Sequence, residues 1–102
     1  MVISSQGNAV VTGSIIYTPP VNHQGNVNNI KLNNSAATSF TIIVSRYMVQ
    51  TNTLNLLYAK NLSNGDTVDD DTAYVLEYGD YLYLTAPATV KYVVSGTQYP
   101  IA

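Results

Sequence analysis

Short runs of β-branched and aromatic residues, separated by turn-forming residues, make up the hydrophobic pattern of this chain. The longest run covers residues 38–49, in which Phe40, Ile42 and Val44 fall on one face of an extended strand and Ile43 falls on the other. Strands with apolar residues on both faces are typical of the interior of a sheet. The pattern therefore predicts a central strand at residues 38–49.

Two further segments show clear alternation. In residues 81–85 the tyrosines Tyr81 and Tyr83 fall on one face, and the leucines Leu82 and Leu84 fall on the other. This period of two is typical of a strand that is buried on one side. The segment predicts a short strand with an outward-facing pair of tyrosines or an outward-facing pair of leucines.

Residues 54–62 are predicted as a strand in which Leu54, Leu56, Tyr58 and Leu62 share a face. Turns are expected where Asn, Gly, Asp and Ser cluster, because these residues tolerate positive φ or hydrogen-bond their own backbone. The remaining strands are expected at residues 9–18, 27–33, 67–68, 73–76 and 90–95.

These strands define the fold class. No window carries an apolar stripe at helical spacing together with helix caps, so no helix is predicted. About seven to eight short strands are typical of an all-β antiparallel β-sandwich, of immunoglobulin-like or jelly-roll type. A length of 102 residues fits a single domain over residues 1–102. Residues 1–8 and 97–102 are expected as extended terminal arms.

The surface that this composition predicts is polar but weakly charged. Only 10% of the residues are charged, against about 25% in an average soluble domain. Eleven Asn, eleven Thr and eight Ser supply the polarity, and nine of the ten aromatic residues are tyrosine. Tyrosine is enriched at protein interfaces. The composition favours a protein that neighbouring subunits cover, and a weakly charged monomer is the alternative.

Few residues are suited to catalysis. The chain has no cysteine and a single histidine, His23, which lies in a segment expected to form a loop at residues 21–26. This excludes Cys-His and multi-histidine metal sites, and nothing marks a serine partner for a triad. Glycine-rich phosphate-binding motifs are absent. We therefore predict that the chain is not an enzyme and that it has no catalytic residue, no cofactor and no metal site.

The four cationic residues Lys31, Arg46, Lys60 and Lys91 are dispersed along an acidic chain. Binding to nucleic acid requires clustered positive charge, so we expect no nucleic-acid partner. Apolar runs of three or four residues are far shorter than the roughly 20 residues of a membrane-spanning helix, so we expect no membrane partner. No signal peptide is visible at the start of the sequence, and we expect synthesis in a cytoplasm.

All six acidic residues lie between Asp66 and Asp80. Calcium prefers six to eight oxygen ligands, but the spacing of these acids does not match the alternating carboxylates of a calcium loop. In an extended backbone Asp69 and Asp71 would point to one side and Asp70 to the other. We predict a solvated turn whose aspartates cap backbone N–H groups and guard a sheet edge; a metal site and a contact with a basic partner are the alternatives.

The two ends of the chain are apolar, and we expect at least one of them to dock on a neighbouring subunit. Together with the aspartates, these ends give the residues predicted to contact a partner: Met1, Val2, Ile3, Asp69, Asp70, Asp71, Tyr99 and Ile101.

The order of the motifs resembles a group of small virion proteins of tailed phages. The first half reads IIYTPPVNHQGNVNNIKLNNSAATSFTIIVSRY, and the second half has LLY, a GDT turn, YVLEYGD, YLYL and VKYVVSG in succession. The resemblance covers about residues 15 to 96. It implies a β-sandwich module of a phage particle with no catalytic residues. The Asn-rich, Lys-poor composition is consistent with a phage of a low-GC gut bacterium, such as a crAss-like phage.

Three functions follow from this resemblance and from the composition. The first is a multi-copy capsid auxiliary (decoration) protein, located in the virion, that binds and bridges subunits of the major capsid protein. The second is a fibre-anchoring or tail-adaptor module that binds other virion proteins. The third is a carbohydrate-binding β-sandwich that uses exposed tyrosines such as Tyr81 and Tyr83 as sugar platforms.

Overall fold

A computed structural model describes residues 2–35, 39–87 and 89–101. These residues form nine strands and no helix. The strands are β1 (Val2–Asn8), β2 (Ser14–Tyr17), β3 (His23–Asn34), β4 (Phe40–Met48), β5 (Thr53–Leu62), β6 (Thr67–Asp70), β7 (Tyr74–Leu76), β8 (Tyr81–Thr85) and β9 (Val90–Pro100). Within the described ranges, no helix could span a membrane.

The strands form two antiparallel sheets that pack as a β-sandwich, as the sequence predicts. One sheet has the order β1-β9-β3-β6, with β7 also pairing with β3, and the other has the order β2-β8-β4-β5. The strands pair from the two ends of the chain inward, as if one long hairpin had been folded over. The first strand pairs with the last, and the successive pairs are β1–β9, β2–β8, β3–β6/β7 and β4–β5. This nesting is the arrangement of a jelly roll rather than of an immunoglobulin domain.

The core lies between the two sheets. Alternation places every second side chain of β3, β4, β8 and β9 inward, where these side chains meet the opposite sheet. The fully buried apolar residues are Val27, Ile30, Leu32, Ile42, Val44, Leu76, Leu82, Leu84, Val90 and Val94. The predicted central strand is confirmed, because β4 lies between β8 and β5. The predicted bounds of residues 81–85 match β8.

The ends of the chain differ from the prediction. Residues 2–8, expected as an arm, form β1 and pair along their whole length with β9. Residues 97–100, also expected as an arm, continue β9 and pair with the start of β3. Residues 2–8 form a strand because the side chain of Ile3 is buried in the core and holds β1 in the sheet.

Three strand predictions also need correction. His23 begins β3 rather than lying in a loop, because its backbone pairs with Pro100 at the end of β9. The strand expected at residues 9–18 is only β2, since Gly13 takes a φ of 93° just before it. The described residues form nine strands, one more than the eight predicted segments, because β1 joins the five-stranded sheet.

A β-bulge overturns the predicted face of residues 54–62. Val44 of β4 pairs with Tyr58, but the next residue, Ser45, pairs with Leu56, so that Leu57 is the extra residue. Tyr58 and Leu57 both pack against the core, whereas Leu56 is 64% exposed. The bulge thus moves the first half of β5 to the opposite face from the one that simple alternation predicts.

Candidate functional site

The outer side of the four-stranded sheet carries exposed aliphatic side chains around half-buried tyrosines, a surface that we call the uncharged face. Cross-strand pairing arranges it in rows, for example Ile15 of β2, Tyr83 of β8, Ser45 of β4 and Leu56 of β5. The whole uncharged face consists of Ile15, Thr41, Ile43, Ser45, Tyr47, Leu54, Leu56, Ala59, Asn61, Tyr81, Tyr83 and Thr85.

The pairing register of the strands places their charged side chains on the other side of the sheet. The four strands contain two charged residues, Arg46 and Lys60. Arg46 is in register with Leu82, and Lys60 is in register with Ile42. Because Leu82 and Ile42 are fully buried, both cations lie on the inner side of the sheet. The outer side is left with apolar, hydroxyl and amide groups only.

The outer side of the other sheet is polar and charged by comparison. There Lys31 is in register with Asp69 on one neighbouring strand and with Val93 on the other. Lys91, in register with Asn33, adds a further cation. A contiguous apolar surface on one side only is typical of an interaction site, and depletion of charge is typical of the core of an interface.

Three tyrosines give the uncharged face a rigid centre. The rings of Tyr47 and Tyr81 stack with centroids 4.8 Å apart, and the centroids of Tyr81 and Tyr83 lie 6.2 Å apart. The Tyr47 hydroxyl donates to Oδ1 of Asn52 over 2.5 Å, and the Tyr83 hydroxyl donates to the carbonyl of Thr12 over 3.1 Å. These contacts hold the rings before any partner binds, which lowers the entropy cost of binding.

Aspartates of the acidic segment divide between two sides, as the sequence predicts. Asp69 and Asp71 both accept hydrogen bonds from the side-chain amide of Asn29, over 2.6 and 3.0 Å. Asp70 points the other way and accepts from the Tyr74 hydroxyl over 2.7 Å and from the Thr72 N–H over 2.9 Å. Since β6 is the outer strand of its sheet, these aspartates do lie on an edge.

Asp70 lies in a groove between β5 and β6, with a volume of about 440 Å³. Partial burial opposes its charged form, but hydrogen bonds from Thr72 and Tyr74 outweigh burial and lower the pKa of Asp70. Burial, the nearby charge of Asp70 and Tyr74 raise the pKa of the Tyr58 hydroxyl. Burial and the hydrogen bond to Asp70 raise the pKa of Tyr74. In this groove the Asp70 carboxylate is held by the Tyr74 hydroxyl and the Thr72 N–H, and the Tyr58 hydroxyl is buried beside it.

The two Gly-Asp pairs of the acidic segment form turns. The Asp66 side chain accepts from the N–H of Ser63 over 2.9 Å. Asp80 is buried and accepts from the N–H groups of Val49 and Glu77 over 2.9 and 3.1 Å, and Arg46 lies 3.8 Å from its carboxylate. With Asp70, three of the five aspartates cap backbone N–H groups as predicted, whereas Asp69 and Asp71 bond the side chain of Asn29 instead. Among the described residues, no group of three or more acidic or histidine side chains is placed to hold a metal ion.

The residues predicted to contact a partner differ in their exposure. Met1 lies outside the described residues. Ile3 is buried in the core of its own chain and is wrong as a partner contact. Val2 on β1, Tyr99 on β9 and Ile101 after it are exposed. Val2 does not belong to the uncharged face, because β1 is part of the other sheet.

Sequence reasoning missed most of the uncharged face. The alternation of residues 81–85 revealed the shared face of Tyr81 and Tyr83, but not which side was outward. Ile15, Leu54 and Leu56 were missed because their side depends on the bulges in β2 and β5 and on pairing between distant segments. The available signal was the low charge of the four segments, which contain two cations and no acidic residue.

Comparison with known proteins finds no matching family model, no matching curated protein and no matching solved structure. A function for this chain is therefore argued from its own residues and fold.

Proposed function

We propose that the chain is a non-enzymatic structural component of a phage virion, a capsid auxiliary protein that binds and bridges major capsid protein subunits through the uncharged face. The observation that carries this proposal is the uncharged face itself, which has exposed aliphatic side chains, a rigid centre of tyrosines and no formal charge. The jelly-roll order supports it only by analogy, because viral capsid proteins and lectins share this architecture.

The proposed mechanism is geometric. Four strands about 4.8 Å apart and about seven residues long cover roughly 400 Å² in projection. A standard interface buries about 800 Å² on each partner, so one face supplies about half of such a contact. Apolar and tyrosine contact provides the free energy, and the hydroxyl and amide groups fix the register. Many copies on a shell would repeat this gain at each junction between capsid subunits.

The test is co-sedimentation with shells assembled from the major capsid protein of the same phage. Ile43→Lys places a charge at the centre of the uncharged face, and Val93→Lys is its matched control. Ile43 and Val93 are both β-branched residues on inner strands, 38% and 39% exposed, but Val93 lies on the opposite sheet. We expect at least a tenfold loss of shell binding for Ile43→Lys, about 1.4 kcal/mol, and little change for Val93→Lys. Equal binding by both variants would contradict the proposal.

Copy number separates the capsid function from a fibre-anchoring or tail-adaptor function. Hundreds of copies per particle support a capsid auxiliary protein, whereas about a dozen support a module at the tail or fibre. Quantitative mass spectrometry of purified particles makes this measurement.

Carbohydrate binding is the second candidate, and the half-buried tyrosines of the uncharged face favour it. However, Tyr47 and Tyr81 cover one face of each other's ring, and the Tyr47 and Tyr83 hydroxyls already have partners. A sugar platform needs an open ring face and free polar groups around it. A glycan-array signal that Tyr81→Ala or Tyr83→Ala abolishes would favour this candidate over the capsid function.

A further inference from the structure

The first half of β5, residues 53–56, is an open sheet edge. β5 pairs with β4 on one side only, and the four residues of this half are all exposed. Edge strands leave a row of unpaired N–H and C=O groups, which natural proteins usually protect with charge, proline, short length or bulges. Thr53, Leu54, Asn55 and Leu56 include no charge and no proline, and they precede the bulge at Leu57.

The other sheet edges of the described residues are better protected or less apolar. β6 carries Asp69 and Asp70, and β7 is only three residues long. β2 contains a register shift inside the strand, and Ile15 is its one exposed large apolar side chain. β1 is uncharged and seven residues long, but Val2 is its one exposed large apolar side chain. The start of β5 instead exposes two leucines.

We infer that residues 53–56 of β5 pair antiparallel with the same residues of a second copy of this chain, centred on Asn55. This inference does not depend on a capsid partner. If both uncharged faces are to lie on the same side of the combined sheet, each outward-facing residue of one copy must pair with an outward-facing residue of the other. With Asn55 opposite Asn55 on a two-fold axis, Leu54 of each copy lies opposite Leu56 of the other. Two four-stranded sheets then become one of eight strands.

The charge and the side chains of this edge favour a second copy as the occupant. The charged residue of β5 is Lys60, five residues from Asn55, so the two lysines of a pair lie about 33 Å apart, well beyond a Debye length of about 8 Å. Four leucine side chains, 54% or 64% exposed in the single chain, gather at the junction. The two uncharged faces also become continuous and together present roughly 800 Å² to a further partner, twice the area of one face.

Sedimentation equilibrium from about 10 µM to about 1 mM measures the association. We expect a weak dimer of the unmodified chain, with a dissociation constant at least tenfold higher for Leu54→Lys. Ile15→Lys is the matched control, because Ile15 lies on the uncharged face at the opposite edge of the same sheet. Ile15→Lys should change the constant less than twofold, and Ile43→Lys should leave the dimer intact even where it abolishes shell binding.

The pairing register can be tested by cross-linking single introduced cysteines, because the chain has no cysteine of its own that would react. Asn55→Cys should cross-link rapidly through a short thiol-specific linker, whereas Asn61→Cys on the same strand should not, since antiparallel pairing holds these positions about 40 Å apart. A monomer up to about 1 mM, equal cross-linking at both positions, or loss of the dimer in Val2→Lys but not in Leu54→Lys would each overturn the inference.

Discussion

The side-chain amide of Asn34 donates a hydrogen bond to the carbonyl of Leu62 over 2.9 Å and so joins the end of β3 to the end of β5. Asn34 is fully buried, and its backbone also bonds Gly65 and Asp66. One residue therefore ties the five-stranded sheet to the four-stranded sheet at the turn that opens the acidic segment.

Asn34→Asp tests the donor role of this amide. A carboxylate has the same shape but cannot donate to a carbonyl, so the Leu62 oxygen loses its partner and a charge is buried. We expect a loss of about 3 kcal/mol in the free energy of unfolding at pH 7, measured by urea denaturation. Asn28→Asp, on the exposed side of the same strand, is the control and should change stability by less than about 0.5 kcal/mol. Similar losses in both variants would contradict the donor role.

Asp80→Asn tests the buried turn carboxylate. Asp80 accepts two backbone N–H bonds and lies near Arg46, and an amide can satisfy only one of these donors while leaving the cation without a countercharge. The expected cost is about 3 kcal/mol in thermal or urea unfolding. Asp69→Asn, on an exposed side chain, serves as the control. A cost below about 1 kcal/mol for Asp80→Asn would show that the turn is held by its backbone alone.

Acid stability should depend on Asp70. Its pKa is lower in the folded chain than in the unfolded chain, so the unfolded chain binds the proton more readily as pH falls. The stability that Asp70 contributes is present above its unfolded pKa of 3.8 and is lost as pH falls through the lower folded value. Asp70→Asn should therefore flatten the acid limb of a stability–pH curve between about pH 5 and about pH 2. An unchanged acid limb would count against this.

Alkaline stability should depend on Tyr58 in the opposite sense. Its folded pKa is raised above the unfolded value of 10.0, so its contribution is present below pH 10 and is lost as pH rises toward the folded pKa. Tyr58→Phe removes this titration and should make stability fall less steeply between about pH 9 and about pH 11. Tyr99→Phe, at an exposed position on β9, provides the comparison. Identical slopes in the two variants would refute the role of Tyr58.

Local pattern alone determined the all-β class, the bounds of β8 and the central position of β4. The same alternation predicted that Asp69 and Asp71 would lie on one side and Asp70 on the other. These features depend on the period of two in an extended backbone and on turn chemistry, which nearby residues specify.

Tertiary structure decided which side chains face outward on the surface. The bulge at Leu57 turned Leu54 and Leu56 outward, and register turned Arg46 and Lys60 inward, so the uncharged face exists only once distant strands pair. Ile3 is apolar in the same way as Val2, but only its partners in the sheet show that it belongs to the core. A slip of one residue in any of these pairings exchanges the two faces of a strand, and no local signal encodes that choice.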